Sequence, residues 1–279
     1  MPEMPEVESI VSGVKDKIVG KTITTVETMS GRDDVIKHPS PAEYAALLSS
    51  RTIVQLYRRG KYILMEVSGG LTAVFHLRMT GRFMFRPDGI VDDKYACAVY
   101  HFDDGSCLVY ADVRRLGTLN LLNEDELANF HGLCILGPEP LSKEFTVAYL
   151  RRIMQGSRTP VKTFLLNQKH IAGMGNIFVD ESLGISHIHP LRRAGSLSEQ
   201  EIKTLHKTIN KVISSAIKDG GTTFRDYRNG MGGKGSHQQH LYIYGRKGKP
   251  CRFCGTPIEK MKISSRGTYY CPVCQKLKD

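Results

Sequence analysis

The sequence has no long hydrophobic run. Its longest apolar segments have the length of a β-strand and are interrupted by charge, so none is long enough to cross a membrane. The residues behind the first methionine are acidic, whereas a secretory leader begins with a basic stretch followed by an apolar segment. We therefore expect a cytoplasmic protein. The sequence also contains no internal repeat.

Acidic residues are scarce relative to basic ones. The chain has 28 Asp and Glu against 39 Lys and Arg, which gives a formal net charge of +11 and a pI of about 9.3. An excess of positive charge suits a polyanionic partner such as nucleic acid. A length of 279 residues allows two domains and a small appendage, each with a core of its own.

Cysteines are few until the end of the chain. Cys97, Cys107 and Cys134 stand among apolar neighbours, as ordinary core thiols do. The other four form two C-x2-C pairs separated by 16 residues, a spacing that lets four thiolates bind one zinc ion tetrahedrally. Two disulfides are the alternative, which a reducing cytoplasm disfavours. The expected cofactor is one structural Zn²⁺, and its predicted ligands are Cys251, Cys254, Cys271 and Cys274.

The sequence pattern changes four times along the chain. Residues 5–18 have apolar side chains at helical spacing, and residues 22–121 form short β-rich runs separated by turns, which predicts a mostly antiparallel sheet. Prolines and a glycine between 136 and 145 indicate a domain boundary, and the pattern is then helical to about 218. The glycine-rich segment 219–237 predicts a mobile loop or lid, and a basic module follows it from 241.

The N-terminal residues are of the types that serve as nucleophile and proton donor in catalysis. Methionine aminopeptidases act when the second residue is small, so removal of Met1 would expose the secondary amine of Pro2. An α-amine titrates at about 7.7–8.0 and attacks carbonyl-like carbons to form Schiff bases. Glu3 is the nearest carboxyl that could donate a proton, and Glu6 lies one helical turn further on. An equally good interpretation is that these acids complement the positive end of a helix.

Six motifs decide between these interpretations: MPEMPEVE at the start, RRGKY at 58–62, HLRMTG at 76–81, DVRRLG at 112–117, AGMGNIFVDES at 172–182 and the RGTYYCPVCQ ending. Together, and in this order, they resemble bacterial formamidopyrimidine-DNA glycosylase, a family that excises oxidised purines such as 8-oxoguanine. The resemblance runs from Met1 to the last cysteine. It implies a bifunctional DNA glycosylase and AP lyase that acts as a monomer on double-stranded DNA with oxidised bases or abasic sites.

The resemblance also implies an α+β architecture of three domains. Residues 1–135 would form a catalytic antiparallel β-sandwich with a flanking helix. Residues 136–240 would form a helical domain with a helix-two-turn-helix motif, and within it 219–237 would be the lesion-recognition loop. Residues 241–279 would form a zinc finger hairpin.

Catalytic roles follow from the same resemblance. Pro2 would attack C1′ of the damaged nucleotide, Glu3 would protonate during base release and sugar opening, and Glu6 would relay or orient. Lys61 would serve the β-elimination step. Arg266 would assist δ-elimination and hold phosphate.

DNA contacts are implied in three groups. Met79, Arg114 and Leu116 would fill the gap left by the extruded base, with Leu116 standing where the family usually has phenylalanine. Tyr95 stands where the family commonly has a histidine that contacts DNA, and Thr222, Thr223 and Tyr227 are candidate contacts of the lesion loop. Backbone contacts are expected from His76, Arg158, Lys162, Asn176, Tyr244 and Lys260.

Three other functions remain as alternatives. An endonuclease VIII-like glycosylase would prefer oxidised pyrimidines. A non-catalytic damaged-DNA-binding protein would keep the DNA-gripping residues without the chemistry, and the intact Pro2, Glu3 and Lys61 argue against it. A zinc-ribbon transcription factor would explain the tail and the charge but not the N-terminus.

Overall fold

The computed structural model describes residues 2–224 and 227–277, which form two compact units. The first unit comprises Met1–Cys134 and Asp219–Ser236, and the second comprises Ile135–Lys218 and His237–Asp279. The chain divides between Cys134 and Ile135, and the segment Asp219–Ser236, which the sequence prediction places in the helical domain, packs with the N-terminal residues. The three-domain bounds stay a prediction. In the described residues, no helix combines the length and the apolar character that a membrane span requires.

The first unit combines a β-sheet with helices. Its helices are α1 (Met4–Ile18), α2 (Pro41–Leu48), α3 (Glu124–Asn129) and α4 (His131–Cys134). Its strands are β1 (Thr22–Thr28), β2 (Ile36–His38), β3 (Arg51–Arg59), β4 (Tyr62–Val67), β5 (Leu71–His76), β6 (Gly81–Arg86), β7 (Ala96–Phe102), β8 (Cys107–Asp112) and β9 (Thr118–Leu122).

The strands of the described first unit follow the order β2-β9-β5-β4-β3-β1-β7-β8-β6. β1 and β3 pair only through Thr22 with Thr52 and Ile23 with Arg51, so the sheet divides there into two layers. Aromatic rings join the layers: the ring centre of Phe75 on β5 lies 4.8 Å from that of Phe83 on β6. The predicted sandwich is thereby confirmed. One pair, β2 with β9, is parallel, which agrees with the expectation of a mostly antiparallel sheet.

Helix α1 places the N-terminus against this sheet. Val7, Ile10, Val14 and Ile18 recur at helical spacing and are fully buried. Burial of a side chain of this size contributes roughly 1.5–3 kcal/mol, so the helix is held firmly. It packs against β3, β4 and β6 and ends before Gly20, whose φ of 87° suits a residue without a Cβ.

The second unit is helical with a small hairpin. It contains α5 (Val147–Met154), α6 (Val161–Leu166), α7 (Asn176–Ile185) and α8 (Glu199–Lys218), followed by β10 (Glu259–Ile263) and β11 (Arg266–Tyr270). The turn before α7 passes through Gly173 at a φ of 87°. α8 packs against α5 and α7, and β11 packs against α7. The hairpin therefore rests on the same helix whose N-terminus follows the glycine turn.

Candidate active site

The start of α1 is buried. Pro2 and Glu3 precede the helix, and both are buried, as is Glu6 within its first turn. The backbone N–H of Glu3 donates to Oε2 of Glu6 at 2.9 Å. Burial and, to a lesser extent, the neighbouring charge of Glu3 together raise the pKa of Glu6 to about 7, although backbone donors oppose the change. Two carboxyl groups therefore lie beside the predicted nucleophile, and one of them is poised to exchange protons near neutrality.

Lys61 lies in the two-residue turn between β3 and β4. Arg59 pairs with Tyr62 across this hairpin, and Gly60 takes a φ of 59°, as such a tight turn demands. The side chain of Lys61 is only 8% exposed, unlike an ordinary surface lysine. Since α1 packs on both strands of the hairpin, the lysine and the N-terminus belong to the same packed substructure.

His76 ends β5 next to this hairpin. It pairs with Tyr62 across the sheet, and the two rings meet edge to face at 4.6 Å. Burial, together with the positive charges of Arg78 and Lys61, lowers the pKa of His76 to about 3. Its Nδ1 accepts the backbone N–H of Arg78 at 3.0 Å, so the neutral ring carries its proton on Nε2. That tautomer is a hydrogen-bond donor, as a phosphate contact requires.

The predicted gap-filling residues stand at exposed turns of the same unit. Met79 is 41% exposed and Leu116 is 46% exposed, and Arg114 is exposed beside it. Singly exposed apolar side chains are common on protein surfaces, so exposure alone does not assign these two a role. Their position at turns leaves both side chains accessible for insertion into a DNA stack.

Tyr95 is half-buried and surrounded by positive charge. Lys94, Arg32 and Arg82 lie 5.1, 5.6 and 5.8 Å from its ring centre. These distances are within the range of cation–π attraction. The surroundings of Tyr95 suit an anionic partner although the family's histidine is absent.

The glycine-rich loop is docked on α1. The N–H of Thr222 donates to Oε1 of Glu6 at 2.7 Å, and the hydroxyl of Tyr227 donates to the carbonyls of Glu6 and Gly220. Thr223 Oγ1 accepts the N–H of Gly235 at 3.0 Å. The two oxygens of Glu6 thus bind the amide next to the N-terminus and the amide of the loop. Residues 225 and 226 of the predicted lesion loop lie outside the described residues.

In the second unit, Arg266 occupies the tip of the β10–β11 hairpin. Ser264 and Ser265 take φ values of 45° and 64° to make the tight turn, and Arg266 is exposed directly after it. Lys260 is exposed on the facing strand, with Nζ 5.3 Å from the ring centre of Tyr269. The tip presents cations to solvent, as a phosphate-binding hairpin would.

Tyr244 and Arg158, two further predicted backbone contacts, differ in exposure. The ring centre of Tyr244, which is half-buried, lies 5.1 Å from that of Tyr269 in the hairpin. Arg158 is exposed between α5 and α6.

Asn176 opens α7, and its side chain is already engaged. Its Nδ2 donates to the carbonyl of Gly267 at 2.9 Å, next to Arg266. The N-terminus of α7 still offers a positive dipole end and first-turn N–H groups. Asn176 therefore joins the glycine turn to the hairpin in addition to any phosphate contact.

Lys162 does not fit the predicted backbone contact. Its side chain is fully buried, and Nζ donates to Oδ1 of Asp180 at 2.7 Å and to the carbonyl of Gly267 at 3.1 Å. The second oxygen of Asp180 accepts the N–H of Tyr269 at 2.9 Å. A lysine enclosed in this way supports the hairpin from beneath, and a phosphate cannot reach it.

The four C-terminal cysteines come together as their spacing predicts. Their sulfur atoms all lie within 4.8 Å of one another, with Cys251 to Cys274 at 3.9 Å and Cys254 to Cys271 at 3.5 Å. Tetrahedral zinc with Zn–S bonds of 2.3 Å requires sulfur separations of about 3.8 Å. Backbone N–H groups of Phe253 and Cys274 point at the sulfurs of Cys251 and Cys271, as they do around thiolates. The site suits one structural zinc ion and leaves no open coordination position.

Three buried acids were missed by sequence reasoning. Glu181 accepts the consecutive backbone N–H groups of Tyr242, Ile243 and Tyr244 at 2.7–2.8 Å, so it fastens the segment that leads into the zinc module. Asp180 does the same for the hairpin, and Asp112 binds the turn of Leu116. Each of the three accepts main-chain N–H groups, which leave no pattern in a sequence. The sequence gives one signal for Asp180 and Glu181: two adjacent acids inside an apolar helix are expected to be buried and therefore need hydrogen-bond partners.

Comparisons with known proteins cover the whole chain. Residues 1–119 match the formamidopyrimidine-DNA glycosylase N-terminal domain, 136–228 its H2TH domain and 248–277 the zinc finger found in FPG and IleRS. The formamidopyrimidine-DNA glycosylase of Desulforamulus reducens is 43% identical over 279 residues, with all of both chains covered. That of Lactiplantibacillus plantarum is 40% identical over 99% of this chain and 100% of its own.

Solved structures of Lactococcus lactis Fpg have the same fold. A mutant bound to DNA containing Fapy-dG superposes with a TM-score of 0.92 at 34% identity, and a complex with DNA containing an abasic site gives 0.91 at 34%. A complex with DNA containing an oxidised pyrimidine gives 0.90 at 33%. Each comparison covers 99% of this chain and 100% of the other.

Proposed function

Because the chain belongs to the formamidopyrimidine-DNA glycosylase family, we propose that it excises oxidised purines, namely 8-oxoguanine and formamidopyrimidines, from duplex DNA and then nicks the strand. The full-length similarity to enzymes of that name supports the glycosylase activity, and AP lyase activity is typical of the family. The relative crystallised with Fapy-dG and abasic DNA supports the substrate class.

The observation that carries this proposal is the buried start of α1, where Pro2 is followed by two buried carboxyl groups. Once Met1 is removed, the secondary amine of Pro2 attacks C1′ of the damaged nucleotide, and the C1′–N bond to the base breaks. The C1′–O4′ bond then breaks, the ring oxygen takes up a proton, and the open-chain sugar is left as an iminium, which is an electron sink. A general acid must protonate the leaving groups, and Glu3 is the carboxyl next to the nucleophile.

Glu6 links the nucleophile to the loop. Its carboxyl holds the amide of Glu3 with one oxygen and the amide of Thr222 with the other, so it fixes the N-terminus relative to the loop that would cover the extruded base. A pKa of about 7 lets it take up or release a proton during the reaction. We assign Glu6 the role of orienting the amine and relaying protons.

The iminium then permits elimination on both sides of the sugar. β-Elimination breaks the C3′–O3′ bond after loss of a proton from C2′, and Lys61 is the buried cation assigned to this step. δ-Elimination breaks the C5′–O5′ bond, and Arg266 is assigned to hold the phosphate that leaves. Water then hydrolyses the iminium, so that the amine of Pro2 is regenerated and the sugar leaves as an unsaturated aldehyde. The products are a free base, this aldehyde and a strand gap with phosphate at both ends.

Base extrusion requires a substitute in the stack. Met79, Arg114 and Leu116 stand at exposed turns of the unit that carries Pro2, and we assign them to the gap. Leucine is apolar enough to wedge but offers no aromatic face for stacking, so the search for lesions or the preference for the opposite base differs from that of relatives with phenylalanine.

DNA backbone binding is assigned to two surfaces. In the first unit, neutral His76 offers Nε2–H, and Tyr95 lies among cations. In the second, the start of α7 and the hairpin tip offer donors and positive charge. One zinc ion braces that hairpin and takes no part in the chemistry.

Borohydride trapping tests the function directly. The protein is incubated with a duplex carrying 8-oxoguanine opposite cytosine and reduced, and mass spectrometry locates the adduct. We expect a covalent link at Pro2, which would also establish removal of Met1. In the matched variant Pro2→Leu, retention of Met1 displaces the amine by one residue, and we expect no trapping.

Other outcomes select other functions. Trapping on an abasic duplex but not on 8-oxoguanine would leave a lyase with the pyrimidine preference of endonuclease VIII. Tight binding without trapping on either duplex would indicate a damaged-DNA-binding protein. We further propose that the enzyme acts as a monomer in the bacterial cytoplasm, where it associates with the nucleoid through DNA.

A further inference from the structure

Two exposed turns carry the gap-filling residues, and they leave the sheet at neighbouring positions. The first turn, 77–81, carries Met79, and its closing N–H of Gly81 donates to the carbonyl of Leu77 at 2.9 Å. The second turn, 113–117, carries Arg114 and Leu116. Gly81 begins β6 and pairs across the sheet with Asp112, the last residue of β8. The two turns therefore have a common base.

A single buried carboxylate binds both turns at this base. Asp112 is fully buried, and its Oδ1 accepts the hydroxyl of Thr80 at 2.5 Å and the backbone N–H of Arg114 at 3.1 Å. Its Oδ2 accepts the N–H of Gly117 at 2.8 Å. The second turn is thus held at its beginning and at its end, and the first turn is tied to the same group.

Thr80 completes the connection. Its hydroxyl donates to Asp112 and also accepts the N–H of Arg114 at 3.1 Å, so one atom of the first turn contacts the main chain of the second. Thr80 is 8% exposed, whereas Met79 before it is 41% exposed. The hydroxyl faces inward while the apolar side chain next to it faces solvent.

Close packing leaves the turns little freedom. A Cβ at Gly117 would lie 1.7 Å from the hydroxyl oxygen of Tyr110, and a Cβ at Gly81 would lie 2.6 Å from the carbonyl oxygen of Leu77. Neither position has room for a side chain. Both turns are therefore closely packed at their base.

We propose that Thr80 and Asp112 are positioning residues that join the turns of Met79, Arg114 and Leu116 into one preformed insertion element. This inference rests on the proposed function, in which those three side chains occupy the gap left by the extruded base. Opening the stack costs a few kcal/mol, and ordering two separate loops at the same moment would add to the barrier. A carboxylate–hydroxyl bond made before DNA arrives removes that ordering step.

The test compares Thr80→Val with Thr80→Ser. Valine has nearly the shape of threonine but no hydroxyl, whereas serine keeps the hydroxyl and loses only a methyl group. Single-turnover rates are measured on a duplex with 8-oxoguanine opposite cytosine, where a base must be extruded, and on a duplex with a ready-made abasic site. Each preparation is normalised to the fraction that can be trapped by borohydride on abasic DNA, which removes misfolded protein from the comparison.

We expect Thr80→Val to excise 8-oxoguanine about tenfold more slowly, the factor that corresponds to loss of one hydrogen bond to a charged group. Cleavage of the abasic duplex should change by less than about twofold on the same scale. Thr80→Ser should restore excision to near the wild-type rate. A purely structural role would lower both activities together.

Several results would overturn the inference: equal losses on the two duplexes, no loss in Thr80→Val, failure of Thr80→Ser to restore excision, or a Thr80→Val protein with no active fraction on abasic DNA. The proposed function is tested separately by the wild-type rate on 8-oxoguanine. If the wild-type protein excises another oxidised base instead, the purine assignment fails, and the same comparison of variants is made on that base.

Discussion

Replacement of Lys162 by methionine should make the stability of the second unit strongly dependent on pH. Methionine has a similar length and fills the same space, but it removes the ammonium that lies 2.7 Å from Asp180. Both side chains of this ion pair are fully buried. The carboxyl of Asp180 would keep only the N–H of Tyr269 as a partner.

The magnitude follows from the pKa of Asp180. Burial already raises this pKa to about 7, against the lowering effect of Lys162. A carboxyl whose pKa is raised in the folded protein contributes stability below its unfolded value of about 3.9, and that contribution is lost as the pH rises to the folded value, at about 1.4 kcal/mol per unit. In wild type the free energy of unfolding stops falling near pH 7, where Asp180 ionises in the folded protein. In Lys162→Met the pKa of Asp180 rises further, so the free energy of unfolding continues to fall. Between pH 7 and 8 the variant should lose about 1.4 kcal/mol more of it than wild type.

The matched control is the double variant Lys162→Met with Asp180→Asn. Asparagine can still accept the N–H of Tyr269 through its Oδ1 but does not titrate. Urea unfolding is followed by helical circular dichroism, together with zinc release, at pH 6, 7 and 8. We expect Lys162→Met to lose about 2.7 kcal/mol relative to the double variant between pH 6 and pH 8.

Parallel pH dependence of the two variants would refute this reasoning, because Asp180 would then have found water or another cation. The reasoning would also be refuted if Lys162→Met were more stable than the double variant at pH 8, because the buried carboxyl would then carry no penalty. Removal of one partner of a buried pair normally costs about 3–5 kcal/mol, so a change below about 1 kcal/mol at pH 8 would also be incompatible with the geometry.

Three further predictions concern the wedge, the zinc and the N-terminal carboxyl. Leu116→Phe should change excision from intact duplex more than nicking of a ready-made abasic site, because only the first requires a base to be displaced; equal effects in single-turnover assays would contradict the wedge assignment. Cys271→Ser should lose zinc and DNA affinity while the first unit stays folded, as zinc analysis, DNA titration and circular dichroism would show, and undiminished affinity would rule out a binding role for the hairpin. The raised pKa of Glu6 should make the free energy of unfolding of wild type fall by about 1.4 kcal/mol per pH unit between about pH 4.5 and pH 7. In Glu6→Gln this contribution to the pH dependence should be absent. Unfolding at pH 5 and pH 7 checks this, and identical slopes would show that Glu6 is not buried as an acid.

The elements that could be predicted are those whose pattern is local. The helix expected at 5–18 is Met4–Ile18, and the helical region expected to end near 218 ends at Lys218. The four cysteines meet because two C-x2-C turns impose their own geometry. In each case the residues that make the structure stand close together in the sequence.

The features that could not be predicted depend on long-range contacts. Lys162 has the composition of a surface lysine, and only the approach of Asp180 and Gly267 makes it a buried one. The loop containing Gly230 follows the helical residues in sequence, yet it packs on α1. Gly230 permits this close approach, since a Cβ at that position would lie 2.3 Å from Val14 Cγ1. No local pattern records such pairings.

The loop's membership in the first unit has a consequence for the order in which the protein is made. Residues up to 134 leave the ribosome as an incomplete body, since the segment that covers Ile10 and Val14 begins only at residue 219. The intervening stretch and the segment itself amount to roughly 100 residues, which at 5–20 residues per second take about 5–20 s to synthesise. During that interval part of the apolar face of α1 is bare, and the helices of the second unit are already available to fold. The first unit is therefore completed after the helices of the second unit have been synthesised but before its C-terminal hairpin. A nascent chain stalled before residue 219 would expose part of the apolar face of α1 to chaperones.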